Sequence, residues 1–203
     1  PLDMEKYAQD LVRAVNDLLA NKEKKFYVPL PNFQYRKLTG KRIELRSIDV
    51  KYMEDIFEYT SNVANTKFVM WQRHRDYKDT YAFIESVYDL EKAGQLLTWV
   101  IYHLEDEKVI GTVDLSYSEE FQAVEIGYIV NMNYWQKGYA SEAVSLVLDF
   151  ARNYLDINKI VGVAMTENLA SKKVLLKHGF KFERIIEGYH NKPDIADKTG
   201  SLF

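Results

Sequence analysis

A seven-residue segment between a strand-like run and a helix-like run carries the clearest chemical pattern in this sequence. Residues 135–141 read WQKGYAS. Gly138 has no Cβ and lets the backbone approach a ligand closely, Ala140 is nearly as small, and Ser141 can donate its hydroxyl or cap the following helix. The segment predicts a cradle for diphosphate oxygens at a helix N-terminus. An ordinary helix start with a glycine turn is favoured on this segment alone, because one small glycine pattern is a weak signal.

The flanking elements predict where this segment lies. Residues 124–130 have the composition of a strand, and Ala143, Val147 and Phe150 recur at helical spacing after the segment. A second strand, 159–165, and a second helix follow, separated by a polar turn at 167–171. Because a strand, a tight loop and a helix direct unpaired N–H groups and a helix N-terminus towards one point, we expect that point to bind phosphate oxygens.

Several short motifs then recur in a fixed order along the chain. They read RIELR at 42–46, EIGY at 125–128, YWQKGYASEA at 134–143, NLAS at 168–171, and HGF at 178–180 followed by Glu183. Together they resemble the GNAT superfamily of N-acetyltransferases, and more closely its ribosomal-protein N-acetyltransferase branch (RimJ/RimL type). The match covers residues 41 to 188. It implies an α/β (α+β) GNAT fold, with a mixed, mostly antiparallel central sheet flanked by helices.

The resemblance also implies the activity. The enzyme is expected to move the acetyl group of acetyl-CoA to a primary amine by direct attack, without a covalent enzyme intermediate. The acceptor that the branch suggests is a protein N-terminal α-amine. The alternatives are a small amine, such as a polyamine, amino sugar or amino acid, and a non-catalytic acyl-CoA-binding sensor.

The cofactor-binding residues follow from the same motifs. The strand before the loop is expected to pair its backbone with the pantetheine chain, the loop to hold the diphosphate, and the second helix to add polar contacts. The expected residues are Ile129, Val130, Gln136, Lys137, Gly138, Tyr139, Ala140, Ser141, Asn168 and Lys173, with Lys172 as a further phosphate candidate. The superfamily loop usually begins with Gln or Arg, but Trp135 holds that place and Gln136 comes one residue late.

Two residues are candidates for catalysis. Glu125 is the candidate general base, because burial on a strand raises the pKa of a carboxyl group towards neutrality; a purely structural role is the alternative. Leu175 holds the place where many GNAT enzymes have an acidic tyrosine, so Ser171 is the candidate donor to the leaving thiolate. Ser171 bonding its own backbone and Asn168 acting as a helix N-cap are the alternatives for this turn.

The four histidines carry weaker signals. None has the spacing of a metal site. His178 is expected on the surface, and His190, like Glu187, is a further candidate base near the acceptor. The polar and aromatic stretch 62–79 supplies either an acceptor wall or a packed loop.

Composition limits the remaining possibilities. The net charge is −3 and there is no cysteine, which argues against nucleic acid as a partner, excludes thiolate chemistry and is compatible with a reducing cytoplasm. No run of residues predicts a membrane span or a signal peptide. We expect residues 1–40 to form a helical extension, with a helix from Asp3 to Ala20, and residues 41–203 to form the acetyltransferase domain, as a monomer or homodimer.

Overall fold

The structure, a computed structural model, describes residues 37–155, 157–191 and 195–203. The predicted helix from Asp3 to Ala20, and all but the last residues of the predicted 1–40 extension, lie outside these ranges. In the described residues no helix is both long enough and apolar enough to cross a membrane.

Nine strands form two sheets in the described part of the chain. The first has six strands in the order β1 to β6: Leu38–Thr39, Ile43–Ser47, Leu96–His103, Lys108–Ser118, Ala123–Val130 and Ile160–Val161. All its neighbours are antiparallel except β5 and β6, which are parallel. The second sheet has β7 (Val163–Met165), β8 (Arg184–Ile186) and β9 (Gly200–Leu202), with β9 in the centre. The predicted mixed, mostly antiparallel sheet is confirmed.

Among the residues that the structure describes, four α-helices flank the first sheet. They are α1 (Met53–Thr60), α2 (Tyr77–Lys92), α3 (Tyr139–Tyr154) and α4 (Leu169–Lys177). The side chain of Asp49 accepts a hydrogen bond from Lys51 N and caps a 3₁₀ turn that leads into α1. Helix α2 begins directly after Asp76, whose side chain accepts hydrogen bonds from two amides of the first turn.

The helices cover opposite faces of the sheet. Helices α1 and α2 pack through Ile56 and Ile84 against Val100 and Val109. Helix α3 packs through Val147 and its neighbours against the opposite face. Successive side chains of a strand alternate between faces. Each side chain of β5 therefore points either towards α1 and α2 or towards α3.

The sheet opens between β5 and β6, and this opening creates the candidate site. The two strands pair only at Val124–Ile160 and Glu125–Val161. The chain then turns at Gly162, and β7 pairs with β9 instead. A Cβ on Gly162 would lie 2.6 Å from Leu175 Cδ2, so the missing side chain lets α4 pack closely at the turn. Among the described residues, β4 pairs with β5 along its length, but no strand pairs with the other side of β5 beyond Glu125.

Candidate active site

The loop before α3 has the geometry of an anion cradle. Gly138 has φ +85° and Gln136 has φ +60°, both in the left-handed region. Gly138 is the N-cap of α3, and no described side chain accepts a hydrogen bond from the first-turn amides. The residues that carry these N–H groups line a cavity of about 690 Å³ between α3, α4 and β5. The cavity therefore suits an anion at one end and an extended chain along β5.

Charged and aromatic side chains hold this loop in place. Arg42 donates to the carbonyl oxygen of Lys137 and to Glu142 Oε2, each at 2.8 Å. Its guanidinium lies 4.4 Å from the ring centroid of Tyr139. The Tyr139 hydroxyl lies 2.7 Å from Nε2 of the buried His103. Arg42 was known from the sequence only as part of a strand motif, because its partners are about 100 residues away.

Several predicted cofactor contacts have other partners. The side chain of Tyr139 is buried against His103, which leaves its backbone for the cofactor. The Ser141 hydroxyl lies 2.9 Å from His178 Nε2 and does not cap α3. Lys137 Nζ donates to Asn133 O at 3.1 Å, and Lys172 Nζ lies 3.5 Å from Thr166 O. Gln136, Ala140 and Lys173 line the cavity.

The backbone of β5 requires a correction. Asn131 N donates to Ile110 O on β4, and hydrogen-bonding direction alternates along a strand. Ile129 therefore bonds to Thr112 on β4. Its backbone is directed away from the opening and cannot form the predicted pairing with the cofactor. The backbone N–H and C=O groups of Tyr128 and Val130 face the opening instead. Val130 O already accepts from Asn65 Nδ2 at 2.7 Å and Trp135 Nε1 at 2.6 Å, which leaves its amide and the Tyr128 backbone.

The start of α4 places a serine and a tyrosine together. Asn168 Oδ1 accepts from Ser171 N at 3.1 Å, so Asn168 is the helix N-cap. The Ser171 hydroxyl lies 2.9 Å from the hydroxyl of Tyr128, which also lies 3.1 Å from Ser171 O. Burial raises the pKa of Tyr128 to about 12. Tyr128 was not predicted as a functional residue, although it ends the EIGY motif.

Glu125 lies in a second cavity, of about 440 Å³, on the face of the sheet that α1 and α2 cover. Burial, with a smaller contribution from the charges of Asp114 and Glu120, raises the pKa of Glu125 to about 7. Asp114 lines the same cavity, and burial raises its pKa to about 6. Asp114 was missed because it reads as one polar residue between the apolar Val113 and Leu115.

The stretch 62–79 divides between the cavities and the core. Phe68, Met70 and Trp71 line the second cavity. Tyr77 packs against Phe57 with ring centroids 4.5 Å apart, and the His74 ring bonds to Thr80 at 2.9 Å. The aromatic wall thus involves the middle of the predicted stretch rather than all of it.

Two other predicted positions are placed differently by the fold. His178 is half-buried against Ser141, not on the surface as expected, and burial lowers its pKa. His190 is buried, with Nε2 2.9 Å from Asp197 O. Its neighbour Tyr189, rather than His190, lines the second cavity.

The two cavities meet. Both are lined by Phe68, Val69, Tyr128, Ile129, Asn168 and Ser171. An acyl donor extended along β5 and an acceptor beside Glu125 would therefore meet at the Tyr128–Ser171 pair. This arrangement fits the transfer of a group between two substrates.

Comparison with known proteins identifies the family. The model of the acetyltransferase (GNAT) domain matches residues 42–181. The chain belongs to this family. The predicted GNAT resemblance, the acetyltransferase activity and the use of acetyl-CoA are confirmed, since acetyl-CoA is the donor of the family.

Relatives and solved structures agree with the GNAT fold. An uncharacterised N-acetyltransferase of Bacillus licheniformis, p20, is 30% identical over 153 residues, which cover 75% of this chain and 86% of p20. The microcin C7 self-immunity acetyltransferase MccE, solved with acetyl-CoA and AMP, has a TM-score of 0.73 at 19% identity, covering 86% of this GNAT chain and 97% of its own. RimL, a ribosomal α-N-protein acetyltransferase solved with coenzyme A, has a TM-score of 0.70 at 16% identity, covering 82% and 96%.

Proposed function

We propose that this GNAT enzyme acetylates a primary amine that is bound in the second cavity beside Glu125. The observation that carries the proposal is the junction of the two cavities at Tyr128 and Ser171. Acetyl-CoA supplies the activated acetyl group, and the amine nitrogen forms a C–N bond to it as the C–S bond breaks. The products are an N-acetylated amine and coenzyme A.

The first cavity fits the donor. The uncapped amides at the start of α3, with Gln136, Gly138 and Ala140, would hold the diphosphate. The Tyr128 backbone and the Val130 amide would pair with the amide groups of the pantetheine chain, as an added strand does. Lys173 lines the same cavity and would contribute charge.

Glu125 would accept the proton that the substrate ammonium must lose. Its pKa of about 7 leaves a substantial fraction ionised at neutral pH, while it remains basic enough to accept a proton. Glu125 then passes this proton to solvent, which also takes the second proton that the nitrogen loses as it becomes an amide. An acceptor α-amine, with a reference pKa near ~8, would need this help less than a lysine at ~10.4.

Ser171 would donate a hydrogen bond to the departing sulfur, which takes its proton from solvent. In this arrangement the Tyr128 hydroxyl orients the serine, since it lies 2.9 Å from the Ser171 hydroxyl. A phenol with a pKa of about 12 is too weak an acid to protonate a thiolate near neutral pH. We therefore assign Tyr128 a positioning role.

For the acceptor we keep the primary amine as the proposed class. A protein N-terminal α-amine remains the first candidate, supported by the fold shared with RimL. A small amine is the second, supported by the volume of the second cavity, about 440 Å³. We also propose that the enzyme works in a reducing cytoplasm, as a monomer or homodimer.

The test is the release of coenzyme A from acetyl-CoA with a panel of peptides and small amines, and mass spectrometry of the acetylated product. We expect release well above the rate without amine for at least one class. Binding of acetyl-CoA, seen by calorimetry, without release for any amine would instead support the acyl-CoA-binding sensor.

A further inference from the structure

Two carboxylates face the same space on neighbouring strands. Asp114 on β4 is the cross-strand neighbour of Gly127 on β5, and Glu125 lies two residues before that glycine, on the same face. An ideal Cβ on Gly127 would lie 2.9 Å from each carboxylate oxygen of Asp114. The carboxylate of Asp114 therefore lies directly over Gly127, in a space that any larger residue would fill.

Neither carboxylate is neutralised within the described residues. Asp114 and Glu125 form no ion pair there. The described residues that line the cavity include no lysine, arginine or histidine. Buried acids without a cationic partner are costly and are usually paired or bound to a ligand. The cavity is thus prepared for positive charge that comes from outside the chain.

A single ammonium does not satisfy both acids during the reaction. Once Glu125 has taken the proton, the reacting nitrogen is neutral, and an ionised Asp114 would again lack a cation. A second cationic nitrogen on the acceptor would remain charged throughout and keep Asp114 paired.

A third polar group supports this location. Thr98 is the cross-strand neighbour of Asp114 and lines the same cavity. It is 6% exposed, and its hydroxyl has no hydrogen-bond partner among the described residues. A hydroxyl accepts a hydrogen bond from an ammonium group, so Thr98 and Asp114 together offer two acceptors to a cationic nitrogen.

We propose that Asp114 binds a second cationic nitrogen of the acceptor, so that the enzyme selects primary amines that carry another positive charge and rejects those that carry a carboxylate. This inference rests on the proposed function and specifies its acceptor. A compact diamine has this chemistry, and so does a peptide with a lysine next to its N-terminus.

The experiment compares amines that differ in the charge of their far end. The readout is kcat/KM for coenzyme A release with 1,4-diaminobutane, n-pentylamine and 4-aminobutanoate. A second arm uses a short peptide with lysine in the second position and its norleucine counterpart, which separates the two sources of the second charge. We expect the charged member of at least one matched pair to be preferred by about tenfold, as one retained charge pair implies, and 4-aminobutanoate to be the poorest substrate.

The variant Asp114→Asn tests the assignment itself. It should reduce the preference within the matched pair to about threefold or less, because the isosteric amide keeps the shape and removes the charge. The ratio of two amines cancels any change in Glu125, since both amines need the same base. The control is Glu119→Gln, which removes a charge from an exposed position near the end of β4, and its ratio should stay at the wild-type value.

The outcomes separate the two proposals. A wild-type enzyme that acetylates n-pentylamine as well as the diamine, and the norleucine peptide as well as the lysine peptide, overturns the second-charge inference and leaves the acetyltransferase proposal standing. An unchanged preference in Asp114→Asn overturns the role of Asp114. If no amine gives coenzyme A release, although acetyl-CoA binds, the proposed function is overturned as well.

Discussion

The hydroxyl of Tyr128 on β5 lies 2.9 Å from the hydroxyl of Ser171 on α4, where the two cavities meet. The contact joins residues 43 positions apart. Leu175, which holds the place where many GNAT enzymes have a tyrosine, is 1% exposed and lies in the core. In this chain a different tyrosine, Tyr128, contacts Ser171 from the strand.

We expect Tyr128→Phe and Ser171→Ala each to lower kcat by about tenfold, because each removes one hydrogen bond near the leaving group. Since the two residues act as a unit, the double variant should be little worse than the single variants. The measurement is steady-state kinetics with the best acceptor. The control is Tyr81→Phe on the exposed part of α2; losses that multiply in the double variant would contradict the shared role.

Glu125→Gln should lower kcat/KM by about 10²- to 10⁴-fold, the usual contribution of a general base. In the wild type, kcat/KM should rise with pH up to about 7 and then level with respect to this group, because the ionised carboxylate is the active form. Loss of this limb in the variant, measured by pH–rate profiles, supports the assignment. A profile unchanged in shape and height would leave Glu125 with only a structural role.

Asp114→Asn should move the rising limb of the pH profile of kcat/KM to lower pH. The groups that line the cavity beside Glu125 include Asp114 and Tyr189, and Glu120 adds its charge. Removing the like charge of Asp114 makes ionised Glu125 easier to form, so its pKa falls. A limb that stays in place would show that the two carboxylates do not interact.

Asp114→Asn should also stabilise the fold, and the sign follows from linkage. Burial raises the pKa of Asp114 to about 6 in the folded protein, from its ordinary value of 3.8, which it regains on unfolding. Wild-type stability therefore falls as the pH rises from about 4 to about 6, by up to about 3 kcal/mol from this group. Urea unfolding of both proteins should show a gap in the free energy of unfolding that opens across this window. A gap between the two proteins that is the same at pH 4 and at pH 7 would contradict the burial of an unpaired carboxylate.

Gly138→Trp should abolish acetyl-CoA binding, because the indole would occupy the cradle. Gly179→Trp is a matched control: Gly179 has the same φ of +85°, and a Cβ there meets no atom within 4 Å. Both variants carry the backbone cost of a left-handed non-glycine residue, about 1 kcal/mol, so only the cradle differs. Calorimetry should show a loss of affinity in Gly138→Trp alone; equal affinities would remove the cradle from the donor site.

Much of the fold was predictable because its signals are local. The hairpin of β3 and β4 follows from apolar runs on either side of the acidic turn 105–107, and the loop before α3 follows from Gly138 and the helical spacing behind it. The β5 backbone was not predictable in the same way. Whether Ile129 or Tyr128 faces the opening depends on which strand lies on which side, and a shift of one residue reverses the answer.

The catalytic surroundings depend on contacts between distant residues. The role of Asp114 is apparent only from its position opposite Gly127, and the role of His178 only from its contact with Ser141. Motifs marked Glu125 and Ser171, but nothing in their spacing indicated the carboxylate beside one or the phenol beside the other.

The early separation of β6 from β5 also affects behaviour outside catalysis. A strand with one unpaired side is a template for association with other chains. On this side the side chains of Asn65 and Trp135 donate hydrogen bonds to Val130 O. A bound pantetheine chain would complete the sheet there, so coenzyme A should slow amide hydrogen exchange at Tyr128 and Val130 and protect the protein from aggregation. The acetyl donor would then serve as a folding ligand as well as a reactant.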